Sequence, residues 1–397
     1  MSENKPKELS EDEKQIFKAI ETNDVVLLKT LLSEKKTVNI IDENSMTPLQ
    51  HAAYKGNKEI VQILLDQGAD VNYCEHQHNY TALHFAGLSG NTEVCLALLL
   101  SGAKSHVTNT VGRTAAQMAA FVGHHNCVAV INNFVPKSDI EHYTKNHGSQ
   151  ASPYLPPFLI ESFHKFIMQV NIHPVKVVLN IQNVVGLSDH LPEVKKVLEL
   201  MSEKEMKRGA ETNEVMSFKF HYLSYIIGEI VKIRQRQTSS KKDETEDEKK
   251  LGITELFTRK LLKPGKEGNL EFMDGFLKEC IREFPFRDCT LFRQMVASLA
   301  GKDPPTAISV VDSAINGQRG FIDNISICNT CGEEKPAKKC SKCKVVQYCD
   351  RNCQRLHWHW HKKACPRLSQ SLADNEGQAK PDAAEISADL QNLLVQN

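Results

Sequence analysis

Cys328, Cys331, Cys340, Cys343, Cys349, Cys353, His361 and Cys365 fall within 38 residues of a 397-residue chain. Thiolates and an imidazole at such spacing are suited to binding zinc. The first four form two Cys-x-x-Cys knuckles, and a tight turn in each sets both thiolates on one ion, half of a tetrahedral site. Cys349 with Cys353, and His361 with Cys365, are four residues apart, which on a helix places each pair on one face. The helical residues from Cys353 to Cys365 span about 18 Å, too far for one shared ion. Two zincs are therefore expected. His357 also stands at a four-residue step from Cys353 and is the alternative to His361. Eight ligands fill two tetrahedra and leave no open position for catalysis, so the expected role is structural. Each ion is worth on the order of 10 kcal/mol to a segment too small for a core of its own. With no secretory signal opening the sequence, a disulfide set is not expected.

The elements that must hold these ligands are two tight turns and helical turns, and their order is specific. Tyr348-Cys349, Cys353-Gln354, His357-Trp358, His361 and Cys365, after two Cys-x-x-Cys knuckles, resemble a MYND finger; a RING finger would end in Cys-x-x-Cys. That resemblance implies a cross-brace, with Cys328, Cys331, Cys349 and Cys353 on the first zinc and Cys340, Cys343, His361 and Cys365 on the second. It also implies a protein-interaction module. Some such fingers bind Pro-x-Leu-x-Pro peptides in a groove whose counterparts here are Gln354 and Trp358. Pro153-Tyr154-Leu155-Pro156-Pro157 fits that peptide pattern and raises the expectation of an internal ligand that docks on the finger, against the plainer reading of a polyproline connector.

A second signal is an internal repeat of 33 to 34 residues. Thr47-Pro48-Leu49-Gln50-His51-Ala52-Ala53 recurs as Thr81-Ala82-Leu83-His84-Phe85-Ala86 and as Thr114-Ala115-Ala116-Gln117-Met118-Ala119-Ala120. This period and pattern are those of ankyrin repeats. A proline at the first helical position, small alanines between paired helices and glycines closing each helix account for the residue choice. A degenerate unit from Ile16 to Asn39 reads as the N-terminal cap. His51 and His84 are expected to be hydrogen-bonding parts of the turns, not ligands. Partner-binding surface is expected around Asp42–Met46, Glu75–Tyr80 and Asn109–Arg113.

Between the two modules, apolar residues at steps of three and four predict helices over Glu161–Gln182, Glu193–Arg208, Glu214–Gln235, Leu251–Leu262, Met273–Phe284, Leu291–Leu299 and Thr306–Asn316. The predicted fold is mainly α: a flexible start (1–10), an ankyrin solenoid (11–135), a helical middle domain (136–322) with a disordered loop near 237–250, the two-zinc finger (323–367) and a disordered tail (368–397). The middle domain is read as a bundle independent of the solenoid, because no 33-residue period survives in it.

Basic and acidic residues balance at 49 each, so no global field favours nucleic acid, although the finger is locally basic from Lys335 to Lys344. No run reaches the roughly 18 apolar residues of a membrane span. No phosphate-binding glycine loop, dinucleotide fingerprint, metalloprotease helix or serine elbow is present. A lysine methyltransferase, a class in which such fingers occur, is disfavoured because the middle region lacks the strands and motifs of those enzymes. The module order resembles that of ankyrin-repeat and MYND-finger proteins. This implies a non-enzymatic adaptor of cytoplasm and cilium, with protein partners that include membrane guanylyl or adenylyl cyclases and chaperones. A nuclear corepressor adaptor is the alternative.

Overall fold

The computed structural model describes residues 9–33, 38–75, 77–146, 152–209, 212–239, 252–265, 269–318 and 326–376. Most of the expected flexible start, residues 240–250 of the charged loop and the tail beyond 376 lie outside the described residues. The chain forms two compact units, Met1–Thr254 with Asp274–Asp323, and Glu255–Met273 with Asn324–Asn397.

In the first unit the repeats fold as helix pairs: α1 (Glu11–Glu21) and α2 (Val25–Ser33), α3 (Pro48–Lys55) and α4 (Lys58–Asp66), α5 (Ala82–Ser89) and α6 (Thr92–Leu100), α7 (Ala115–Phe121) and α8 (His125–Asn133). Thr47, Thr81 and Thr114 open the first helix of three pairs, each in a capping box with the residue three positions on. That third residue also ties its repeat to the next. Gln50 Nε2 donates to Tyr80 O at 2.8 Å, and His84 Nε2 lies 3.1 Å from Arg113 O. His51 instead pairs with Asp42 Oδ2 at 2.8 Å inside its own turn. Both histidines are structural, as their turn positions suggested. Leu49, Ala52, Ile60, Val61, Leu64, Leu83, Ala86, Val94, Leu98 and Ala119 form one continuous buried core along the stack.

The middle region contributes α9 (Lys137–Glu141), α10 (Ile160–Ile167), α11 (Pro174–Asn183), α12 (Leu191–Met206), α13 (Glu214–Ser239), α14 (Ile253–Leu261), α15 (Glu271–Arg282), α16 (Thr290–Leu299) and α17 (Ala307–Asn316). The single helix expected over Glu161–Gln182 is two, because the residue before Pro174 is held out of the helical region and His173 caps α11 instead. The expected separation of middle bundle and solenoid is also not what forms. α17 packs on α8, the face a further repeat would cover, and Asn133 Nδ2 donates to Asn316 Oδ1 at 2.8 Å. Repeats and middle helices thus share one unit, while residues 255–273 group with the finger. Leu155 is fully buried in the first unit and its amide donates to Tyr143 O at 3.0 Å. The Pro-x-Leu-x-Pro stretch is therefore packed as a connector, because its apolar side chain is needed in the core. Among the described residues no helix is long and apolar enough to cross a membrane.

In the second unit, β1 (Lys338–Lys339) pairs antiparallel with β2 (Gln347–Tyr348), and one long helix, α18 (Arg351–Glu376), follows. Residues 368–376, expected to belong to a disordered tail, are helical. α18 runs through Pro366, and Ser369 Oγ donates to Lys342 O at 3.1 Å, which ties the extra turns to the second knuckle.

Candidate metal centres and interaction faces

Each knuckle is a turn closed by its own backbone. Cys328 N donates to Glu333 O at 2.8 Å and Gly332 N to Cys328 O at 2.9 Å; Cys340 N donates to Val346 O and Lys344 N to Cys340 O, both at 2.9 Å. Gly332 (φ +68°) and Lys344 (φ +56°) take the left-handed conformation that such tight reversals need. Asp350 Oδ1 caps α18 by accepting from Cys353 N at 2.8 Å, and this sets the helix phase that turns Cys353, His361 and Cys365 toward the knuckles. Thr330 Oγ1 donates to Cys353 O at 2.7 Å, and Asn329 exchanges hydrogen bonds with the Gln347 backbone, so the first knuckle is fixed to both helix and strand.

Two clusters result, Cys328, Cys331, Cys349 and Cys353, and Cys340, Cys343, His361 and Cys365, with all ligand atoms of a cluster within 4.8 Å of one another. The spacings match a metal tetrahedron and exclude disulfides. Cys331 and Cys349 sulfurs are 3.6 Å apart, Cys331 and Cys353 3.7 Å, and Cys340 and Cys365 3.8 Å. Four sulfurs about 2.3 Å from one zinc would lie about 3.8 Å apart, and a bonded pair only about 2.05 Å. His361 Nε2 sits 3.4 Å from Cys340 Sγ and 3.6 Å from Cys343 Sγ, near the shorter edge that a Zn–N bond of about 2.0 Å gives. Seven of the eight ligands are buried, and the donor set is the soft, closed one of a structural zinc. Zinc at these sites would neutralise thiolates that burial otherwise penalises and would link the two knuckles to α18. The alternation of ligands in sequence is the cross-braced arrangement implied by the MYND resemblance.

His357, the sequence alternative, is held elsewhere. Its Nδ1 lies 3.0 Å from the hydroxyl of the fully buried Tyr348, and its ring stacks on His361 at 5.6 Å. Burial, with the His361 ring beside it, pushes its pKa down to about 4. It packs against a ligand and is not one of the clustered groups.

Cys353, His361 and Cys365 face the clusters. Gln354 and Trp358 are one helical turn apart and border the ligand face; Trp358 is 45% exposed and edges the His361 ring at 5.8 Å. Arg355 and Trp360 meet α14: Arg355 Nη1 pairs with Glu255 Oε1 at 2.8 Å, and Trp360 Nε1 donates to Arg259 O at 3.0 Å. No motif in the sequence marks Glu255 or Arg259 as part of the finger. Asp350 could have been found from its N-cap position before a helical run.

On the ankyrin stack, Tyr54, Leu88 and Phe121 occupy the same position in successive first helices and so form a row. Tyr54 is 57% and Phe121 71% exposed, and the Arg113 guanidinium sits 4.7 Å from the Phe121 ring centre. Val111, at the tip of the Asn109–Arg113 turn, is 71% exposed. Exposed apolar and aromatic groups in register along a repeat stack form a surface suited to a protein partner.

Residues 16–109 match the ankyrin-repeat family model in three copies, and residues 328–365 match the MYND finger model. The chain is 31% identical over 362 residues to Dauer abnormal formation protein 25 of Caenorhabditis elegans, an alignment that covers 89% of this chain and 90% of that protein. Similarity to transient receptor potential cation channel subfamily A member 1 of Homo sapiens (34%) and to E3 ubiquitin-protein ligase XBAT33 of Arabidopsis thaliana (42%) covers 29% and 24% of this chain, and 10% and 18% of those proteins. With repeats, clustered ligands and near full-length similarity together, the chain belongs to the ankyrin-repeat and MYND-finger family that includes Dauer abnormal formation protein 25.

Proposed function

We propose that this protein is a non-enzymatic adaptor that helps deliver membrane signalling proteins, in particular guanylyl or adenylyl cyclases, to cilia, working from the cytoplasm with chaperones among its partners. The observation that carries the reading is similarity along nearly the whole chain to a protein of the same module order, joined to two separate interaction surfaces. The aromatic row of the ankyrin stack takes the cargo, and the Gln354–Trp358 face of the finger takes a second protein through a proline-rich peptide of the Pro-x-Leu-x-Pro class. The clustered cysteines and histidine hold two structural zincs, Cys328, Cys331, Cys349 and Cys353 on one and Cys340, Cys343, His361 and Cys365 on the other. Two surfaces on one chain raise the effective concentration of one partner near the other, which needs no chemistry.

The test is a rescue experiment in ciliated cells that lack the protein. The intact chain should restore cyclase at the ciliary membrane, and a chain carrying Tyr54→Ala and Phe121→Glu should not, although it reaches the same level in the cell. Normal ciliary cyclase in cells without the protein would refute the trafficking role.

A further inference from the structure

Residues 255–273, from α14 to the first turn of α15, are far from the finger in sequence, yet they belong to its compact unit. The contact has three parts. Trp360 Nε1 donates to the carbonyl of Arg259, one of the last four of α14, which the helix itself leaves without a partner. Arg355 pairs with Glu255 at the start of the same helix, at 2.8 Å, and Arg259 Nη2 pairs with the same Glu255 oxygen at 3.0 Å. Glu255 is 16% and Arg259 27% exposed, whereas Arg355 is 58% exposed, so the Arg355 pair sets position more than it adds stability. Phe257, Thr258, Leu261 and Leu262 are buried as well. Both ends of α14 are thus held by two side chains on the side of α18 turned away from its metal ligands.

That face exists only while α18 is held in phase by the knuckles. Arg355 is two residues from Cys353 of one cluster, and Trp360 is adjacent to His361 of the other. A segment of this size has no core able to hold α18 without its metals. We propose that the finger is a zinc-dependent clasp for α14: filling of both metal sites presents Arg355 and Trp360 as a docking face, and residues 255–262 of the same chain are its occupant. The Gln354–Trp358 face stays open beside it. Loss of zinc, by chelation or by oxidation of the cluster thiols by a peroxide, frees α14 while the ankyrin repeats stay folded.

Hydrogen exchange on the full-length protein tests this, with zinc content measured in parallel. Stripping zinc with a chelator should speed exchange in peptides covering 255–262 by about tenfold or more, with α3 to α6 unchanged, as expected of a locally opening unit. Trp360→Ala and Arg355→Ala should each keep two zincs per chain and still speed exchange at 255–262. Unchanged exchange at 255–262 on stripping would overturn the clasp. So would loss of zinc in Trp360→Ala, since that residue would then serve the metal core and not the docking face.

Discussion

Lys219→Met should stabilise the protein near neutral pH and lose that advantage as pH rises. Lys219 lies in α13, is completely buried, and donates from Nζ to the carbonyl of Ile167, the last residue of α10. Burial pushes its pKa down from 10.5 to about 7. Between those values the unfolded chain binds a proton that the folded chain does not, so stability rises with pH through the window; below about pH 7 both states are charged and the full cost of burying the ammonium is present. At about 1.4 kcal/mol per pH unit, that cost is about 4 kcal/mol at pH 7 and about 2 kcal/mol at pH 9. Methionine removes it but leaves the Ile167 carbonyl buried without its donor, a penalty of about 2 kcal/mol. The variant should therefore gain about 2 kcal/mol at pH 7, break even near pH 9 and be less stable at pH 10. Urea unfolding of both proteins across pH 6 to 10 with saturating zinc measures the difference, in which every other titrating group cancels. A difference that does not change with pH would refute a buried lysine that deprotonates in the folded state.

Cys340→Ser should release zinc and expose residues 326–376 to protease while the ankyrin repeats keep their own unfolding transition; simultaneous loss of both units would mean that the two are one cooperative structure. Gly90→Ala should cost about 2 kcal/mol or more, because Gly90 has φ +75° and an added Cβ would stand 2.7 Å from the His124 ring, whereas Gly68→Ala meets nothing within 4 Å and should cost only its backbone strain of about 1 kcal/mol; thermal unfolding of the pair measures the gap. Leu155→Ala should destabilise the first unit by about 2–5 kcal/mol, since the side chain is fully buried. A surface-like cost below about 0.5 kcal/mol, measured by chemical denaturation, would contradict its place in the core.

The metal clusters were legible in the sequence because most of their ligands are local: each knuckle is a turn and His361 with Cys365 is one helical turn, whereas Cys349 precedes α18, outside the helix expected to carry it with Cys353, and the pairing of halves needed the family resemblance. The repeats were legible for the same reason, since threonine caps and glycine ends recur at a fixed period. Most middle helices followed from apolar spacing, and the exception, the break at His173-Pro174, follows from the steric demand of proline on the residue before it. What spacing cannot encode is which surfaces meet. The burial of Leu155, the seating of α17 on α8 and the capture of α14 by Arg355 and Trp360 are contacts between segments far apart in sequence. Pattern reading therefore separated the middle helices from the stack and assigned residues 255–273 to the wrong neighbour.

The most direct test of an adaptor with two independent surfaces is quantitative co-purification from ciliated cells with three full-length forms: intact, Phe121→Glu and Trp358→Ala. Both side chains are exposed, so all three should melt alike. The account predicts that Phe121→Glu loses membrane cyclases and keeps the proline-rich partners of the finger, and that Trp358→Ala does the reverse. Identical partner sets from all three forms would contradict it.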